Sequence, residues 1–521
     1  MNKIYLPTKN DFMQNRCNKN KTISKKRRPR ILGLLTIAVI FSTLLGLHAI
    51  FQSMNYQNDS LSPNDTFIQT INGIDYIAKY ITEEDVDEMK TQLSLYEDSM
   101  LLEDISNKEY KTGARIPTEE ELEQLIGLTS IIDVTSGPNM LRTAGYKDLS
   151  KEPYFPVVGN QGGQGSCTAW ANVYYSYGYL EAKDNGWAAS TGNPEYLLSP
   201  SWAYNKLVNL YEPKSDSDFE LLLSAISQAT MTYQYVNIMK DIGCATLKTM
   251  PYDDTDYDSW GEEAAWREAP YHKPRDFIYL HFGGPFGFYS PWIIKWIVDA
   301  GYPVTFGLDS KYLYYGLDKS SGDYILSSDE YVTELIYDHA QTIVGYDDSI
   351  TEGSDVGAFR VVNSWGPDWM DNGYYWITYE AYKEAAQHWF NFIGFFIDRI
   401  DYQPSLIATW EFDPAPTQMN NIFSVGIGTQ DNTIGKITPR YRKDDSDIFP
   451  SFMALDVSDF KSDLDSNPNL NFYLDIGSAA TPGIISSFRV EKYELGVLAD
   501  ITPESLDVPR ATPGFVNVQF I

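Results

Sequence analysis

The sequence predicts an α+β protein with an amino-terminal membrane segment and a carboxyl-terminal all-β portion. Three observations carry this. Residues 31–51, ILGLLTIAVIFSTLLGLHAIF, form an apolar run free of Asp, Glu, Lys and Arg. Helix-start patterns and strand-like apolar runs coexist across 82–400. From about 405 onward, strand-like runs alternate with Asp, Asn, Pro and Gly turns.

The run 31–51 matches the roughly 20 residues that a transmembrane helix needs. Lys25-Lys26-Arg27-Arg28-Pro29-Arg30 precedes it and places the amino terminus in the cytoplasm by the positive-inside rule. A cleaved signal peptide is the alternative, but the run exceeds the 7–15 residues usual for such a core. Either way, residues after 51 are expected outside the cell.

Residues 1–30 hold ten Lys/Arg and one Asp, a net +9; the chain total of −31 leaves −40 for the rest. A body this acidic repels nucleic acid, so nucleic-acid binding is not expected. Hydrophobic residues make up 43% and charged residues 21% of the 521, an ordinary globular composition. Of the three cysteines, Cys17 lies before the membrane run, so one disulfide at most, Cys167–Cys244, could form.

Residues 52–138 are expected to be an acidic stalk or a pro-segment. Thr82-Glu-Glu-Asp85 and Thr118-Glu-Glu-Glu121 each read as a capping box at a helix start. Residues 139–402 carry every candidate catalytic residue. Runs such as FSVGIGT (423–429), LNFYLDIG (470–477) and FVNVQFI (515–521) predict a β-sandwich over 403–521. That domain is a candidate binder of a surface glycan or protein.

Within GNQGGQGSCTAWA (159–171), a lone cysteine is structural by default. Here the glycines leave its approach open, and Ser166-Cys167 starts a helix expected to run to about Lys183. The positive end of a helix dipole lowers a thiol's pKa. Gln161 is placed to donate to an oxyanion beside the Cys167 N–H. Among five histidines, His339 heads the apolar run HAQTIVGY. Asn363, 24 residues on, ends another, where its amide can orient the imidazole. Trp365 can shield that bond.

These segments resemble papain-family (C1) cysteine peptidases over about 145–400. The nucleophile segment is similar to Gln161…Gly165-Ser166-Cys167. The histidine motif is similar to Asp338-His339-Ala340 through Val344-Gly345-Tyr346. The asparagine motif is similar to Asn363-Ser364-Trp365-Gly366, then Asn372-Gly373-Tyr374-Tyr375-Trp376. LLSPSWAYN (197–205) and MPYD (250–253) resemble two supporting elements of the family.

The resemblance implies a papain-like two-lobe fold, a helical lobe with Cys167 and a β-barrel-like lobe with His339 and Asn363. It implies peptide-bond hydrolysis through a Cys167 thioester, with His339 as acid/base and Gln161 at the oxyanion. Trp365, Tyr337, Gly165 and Ser166 would then face a polypeptide substrate, with no cofactor or metal required.

Departures are Thr168 in place of the usual tryptophan, and Gln164 in place of a disulfide-forming cysteine. The substrate-binding glycine pair is not recognisable in 216–232. The acidic stretch DDTDYDSWGEE (253–263) reads as a solvated loop, with calcium binding the lesser reading. The competing function is a papain-like surface binding protein without turnover. A third reading is another Cys/His hydrolase, acting on peptidoglycan or as a transglutaminase-like enzyme.

Overall fold

The computed structural model describes residues 66–71, 74–96, 110–115, 117–134, 145–208, 228–280, 291–331, 338–386, 393–417, 423–429, 432–441, 448–477 and 481–520. All of them lie within one compact unit, Pro63–Ile521. The apolar run 31–51 is outside the described residues. Among those residues, no helix is long and apolar enough to cross a membrane.

Both predicted capping boxes form. At Thr82 the hydroxyl accepts the Asp85 N–H at 3.2 Å while the Asp85 carboxylate accepts the Thr82 N–H at 2.9 Å. This opens helix α1, Glu83–Tyr96. Thr118 and Glu121 make the same reciprocal pair at the four-residue helix Glu119–Leu122. Each box satisfies two backbone donors that a helix start otherwise leaves bare.

Eleven strands build one sheet: β1 (Phe67–Ile71), β2 (Ile74–Tyr80), β3 (Thr129–Val134), β4 (Tyr146–Asp148), β5 (Asp276–Leu280), β6 (Val304–Leu308), β7 (Ile325–Leu326), β8 (His339–Glu352), β9 (Asp355–Val362), β10 (Tyr374–Thr378) and β11 (Gly394–Ile397). Their order is β1-β2-β3-β5-β11-β6-β8-β9-β10-β7, with β4 on β8. The acidic stretch expected as a stalk or pro-segment therefore adds three strands to this sheet, with β3 pairing β5 in parallel.

Against the sheet lies a helical run in three consecutive pieces: Cys167–Ala169, a π-helical Trp170–Tyr177, and Gly178–Asp184. Every residue from Cys167 to Ala182 is buried. Apolar and aromatic residues fill most of its faces, and the polar stripe Thr168, Asn172 and Ser176 is buried by hydrogen-bonding to the Gly113, Thr168 and Pro303 carbonyls.

Two antiparallel sheets follow. One has the order β15 (Phe452–Asp456), β12 (Leu406–Phe412), β17 (Ile484–Glu494), β18 (Val497–Ile501), with β19 (Arg510–Ala511) on β17. The other runs β14 (Asn432–Ile437), β13 (Phe423–Thr429), β16 (Phe472–Ile476), β20 (Gly514–Val518). Trp410 of the first meets Phe423 of the second at 5.4 Å between ring centroids. All three strand-like runs read from the sequence fall on strands here.

Candidate active site

The register of the central sheet assembles the β side of the site. Leu308 pairs with His339, and Thr342 pairs with Val362. Continued past Val362, that register brings Asn363, Ser364 and Trp365 beside residues 339–341. His339 Nε2 and Asn363 Oδ1 are 2.8 Å apart. The same oxygen accepts the Ser364 N–H at 2.7 Å, which turns the amide oxygen toward the ring, so the imidazole nitrogen donates. In the neutral ring, Nδ1 then carries the lone pair that can take a proton. The Trp365 indole stacks on His339 at 4.6 Å and 22°, closing the bond off from water.

Cys167 starts the buried helical run, and the Ala340 N–H donates to its sulfur at 3.5 Å. The thiol thus sits against the residue that follows His339, among Ala114, Ala171 and Ala340. Cys167 and Cys244 are both free thiols, so the single disulfide that the sequence permitted is not formed.

The expected lowering of the thiol's pKa is not seen. Burial pushes Cys167 up to about 12, and the Ala340 N–H and Thr168 hydroxyl oppose this less. The partial charge of a helix start is worth little beside the loss of water around a thiolate.

A segment of the chain contributes to that burial through Ala114. Residues 110–115 cross the site as a strap. Gly113 and Ala114 donate backbone N–H groups to the Asp338 carbonyl at 3.1 and 2.9 Å. Across the site, the Gly113 carbonyl accepts the Thr230 N–H at 2.8 Å and the Thr168 hydroxyl at 3.3 Å. The Lys111 carbonyl accepts from both Gln161 Nε2 and Trp365 Nε1 at 3.0 Å. Tyr110 stacks on Trp365 at 4.8 Å and 12°.

Gln161 is therefore beside the thiol's helix as expected, but both of its amide hydrogens are engaged, the second by the Gln164 carbonyl at 2.9 Å. Ser364 Oγ donates to Gln161 Oε1 at 2.6 Å and orients the amide. Gly165 donates its N–H to Gln228 Oε1, and the Ser166 hydroxyl meets Tyr252. Trp365 is buried between His339 and the strap. Tyr337 lies outside the described residues, as does most of 216–232.

Asp253 and Asp256 close local turns, while Asp254 reaches the glycine turn before Cys167. Asp253 Oδ1 accepts from Thr255, Asp256 Oδ1 accepts from Asp258 and Ser259, and Asp254 Oδ2 accepts the Gly163 N–H at 2.5 Å. His272 pairs with Glu181 at 2.8 Å rather than with the site.

Sequence reasoning missed the strap, Tyr252 and Ser364. Tyr252 and Ser364 both sat inside quoted motifs, MPYD and Asn363-Ser364-Trp365-Gly366, without a role being read for them; the strap left no such signal.

Residues 226–388 match the family model "Papain family cysteine protease". The match contains His339 and Asn363; Gln161 and Cys167 lie upstream of it. No curated protein matches the chain. Among solved structures, xylellain, a cysteine protease from Xylella fastidiosa, is 18% identical, with a TM-score of 0.38 over 58% of this chain and 100% of its own. Digestive procathepsin L2 proteinase from Tenebrio molitor larval midgut is 17% identical, with a TM-score of 0.36 over 60% of this chain and 90% of its own. The bromelain protease from Ananas comosus is 14% identical, with a TM-score of 0.35 over 49% of this chain and 99% of its own. These scores are low, so the assignment rests on the family match. Together with the pairing of His339 and Asn363 beside Cys167, that match identifies a papain-family cysteine peptidase domain in this chain.

Proposed function

We propose that the chain is an exported thiol peptidase, anchored by 31–51 and held latent by its own segment 110–115. The observation that carries the peptidase reading is the His339–Asn363 bond at 2.8 Å under Trp365, with Cys167 against the adjacent residue. In the reaction, Cys167 loses its proton to His339 Nδ1 and the thiolate attacks a peptide carbonyl. Gln161 Nε2 and the Cys167 N–H hold the oxyanion. His339 returns the proton to the leaving amine, and water hydrolyses the thioester.

The latent part of the reading is supported by where the strap's polar groups go. The Lys111 carbonyl occupies the Gln161 amide, and Ala114 of the strap packs with the thiol. A substrate carbonyl would need that same donor, so substrate and strap exclude each other. The exported location is supported by the Lys/Arg cluster before 31–51.

The test uses the full chain in detergent, as wild type and Cys167→Ala, before and after limited proteolysis, under reducing conditions. A fluorogenic peptide library reports turnover, and an irreversible thiol-epoxide titrates the site. Turnover in cleaved wild type alone, ended by one equivalent of epoxide, is the expected result. Silence in both folded proteins moves the reading to a surface binding protein.

A further inference from the structure

Three of the five residues between Gln161 and Cys167 are glycines, Gly162, Gly163 and Gly165, and Gly162 has φ +58°. Such a turn has little stiffness of its own. Yet the two oxyanion donors at its ends must be held to within about 0.5 Å to act on a developing charge. Something outside the turn has to supply the rigidity.

One short stretch does so. The Tyr252 hydroxyl lies 2.8 Å from the Gln161 carbonyl and 3.0 Å from Gln164 Oε1, and donates its one proton between them. It accepts from Ser166 Oγ at 2.7 Å. Two residues on, the Asp254 carboxylate takes the Gly163 N–H at 2.5 Å. Two further on, the Asp256 carbonyl takes Gln164 Nε2 at 2.9 Å. The turn is thus gripped at residues 161, 163, 164 and 166. The gripping stretch is itself fixed by the turns closed on Asp253 and Asp256. A Cβ at 162 would lie 2.1 Å from Asp254 Oδ2 and displace that carboxylate from the turn.

We infer that Tyr252 and Asp254 are positioning residues for the oxyanion donors, clamping the glycine turn so that Gln161 and the Cys167 N–H converge on one point. The acidic loop then has a task in the reaction without touching substrate. This rests on the peptidase reading above.

The test separates acylation from thiol chemistry. Alkylation of Cys167 by iodoacetamide generates no oxyanion; peptide hydrolysis does. The proteolysed full chain is compared as wild type, Tyr252→Phe, Asp254→Ala and Asp254→Asn, with Cys167 labelling followed by mass spectrometry. Tyr252→Phe and Asp254→Ala are expected to lower kcat about tenfold, a fraction of what losing a donor outright costs. KM and the alkylation rate stay within about twofold. Asp254→Asn keeps an acceptor oxygen and recovers most of kcat. Unchanged kcat in Tyr252→Phe and Asp254→Ala overturns the inference. So does a parallel fall of alkylation and kcat, which marks plain structural damage, or an Asn variant no better than Ala. A wild-type chain that alkylates but never hydrolyses peptide overturns the peptidase reading and this inference with it.

Discussion

At Asn363, one amide oxygen holds both the His339 ring and the Ser364 N–H. Asn363→Ala removes the acceptor and lets the imidazole turn. The expected loss is about ten- to a hundredfold in kcat with the epoxide titre unchanged, since positioning rather than the nucleophile is lost; steady-state kinetics and active-site titration check it. Gln161, Cys167, His339 and Asn363 were legible because each combines a chemistry-bearing side chain with a local backbone signal, a glycine turn, a helix start or the end of an apolar run. The ionisation of Cys167 was not legible. It depends on what covers the sulfur, and the cover includes Ala114, more than fifty positions upstream, and Ala340, far downstream. In the intact chain, the pH at which alkylation of Cys167 accelerates is expected well into the alkaline range, because burial raises the thiol. After strap release it should fall by several units, read from the pH profile of iodoacetamide labelling.

For the strap as an element, Gly113 is the position that allows closure. A Cβ there would lie 1.7 Å from the Gly165 carbonyl oxygen, a contact that neither backbone can relieve while the strap is in place. Gly113→Leu is therefore expected to expel 110–115 and raise turnover of uncleaved chain at least tenfold, approaching that of proteolysed wild type. Fluorogenic assay of the uncleaved variant checks this, and activity no higher than wild type would show that the strap does not limit access. The strap's far end is tied by a two-pronged ion pair, Arg115 to Glu121 at 2.5 and 2.7 Å, with both side chains largely buried. Glu121 is also the acid of the capping box, so the helix start anchors the strap. The box itself was readable from Thr118 and Glu121 alone. The strap was not, because 110–115 has no periodicity and most of its partners, among them Gln161, Thr230, Asp338 and Trp365, are distant in sequence. The same holds for β1–β3: their pairing with the main sheet is a long-range choice that local pattern does not record.

Across the whole molecule, the turn to strand-rich sequence after about 405 was legible, and the last two sheets lie there, while the ionisable cluster where the main sheet hands over to them was not. There, Glu181 accepts from Tyr177 at 2.6 Å, Asn185 at 2.8 Å and His272 at 2.8 Å. Asp398 follows directly on β11. Burial, and then the Glu181 charge, push the Asp398 carboxyl up to about 7. For His272, burial alone would lower the pKa, but the hydrogen bond and charge of Glu181 outweigh it and hold the ring above its usual value. Both groups have folded-state pKa values above their unfolded ones. The His272 contribution is complete below its unfolded value and is lost as pH rises through the folded one. Asp398 favours the fold while neutral, and its ionisation draws stability away as pH climbs from about 4 to about 7. The two act in the same direction. Asp456 acts oppositely at acid pH. Burial raises it, but Lys273 and its hydrogen-bond donors prevail and lower it, so its contribution fades as pH falls below the ordinary carboxylate range. Thermal melting of the reduced chain should therefore peak near pH 4–5 and drop by a few degrees by pH 8. Asp398→Asn, which cannot ionise, should flatten the alkaline side of that curve while leaving the acid side in place. A melting temperature that rises from pH 5 to 8, or an Asp398→Asn curve parallel to wild type, would show that the cluster does not set the stability of the fold.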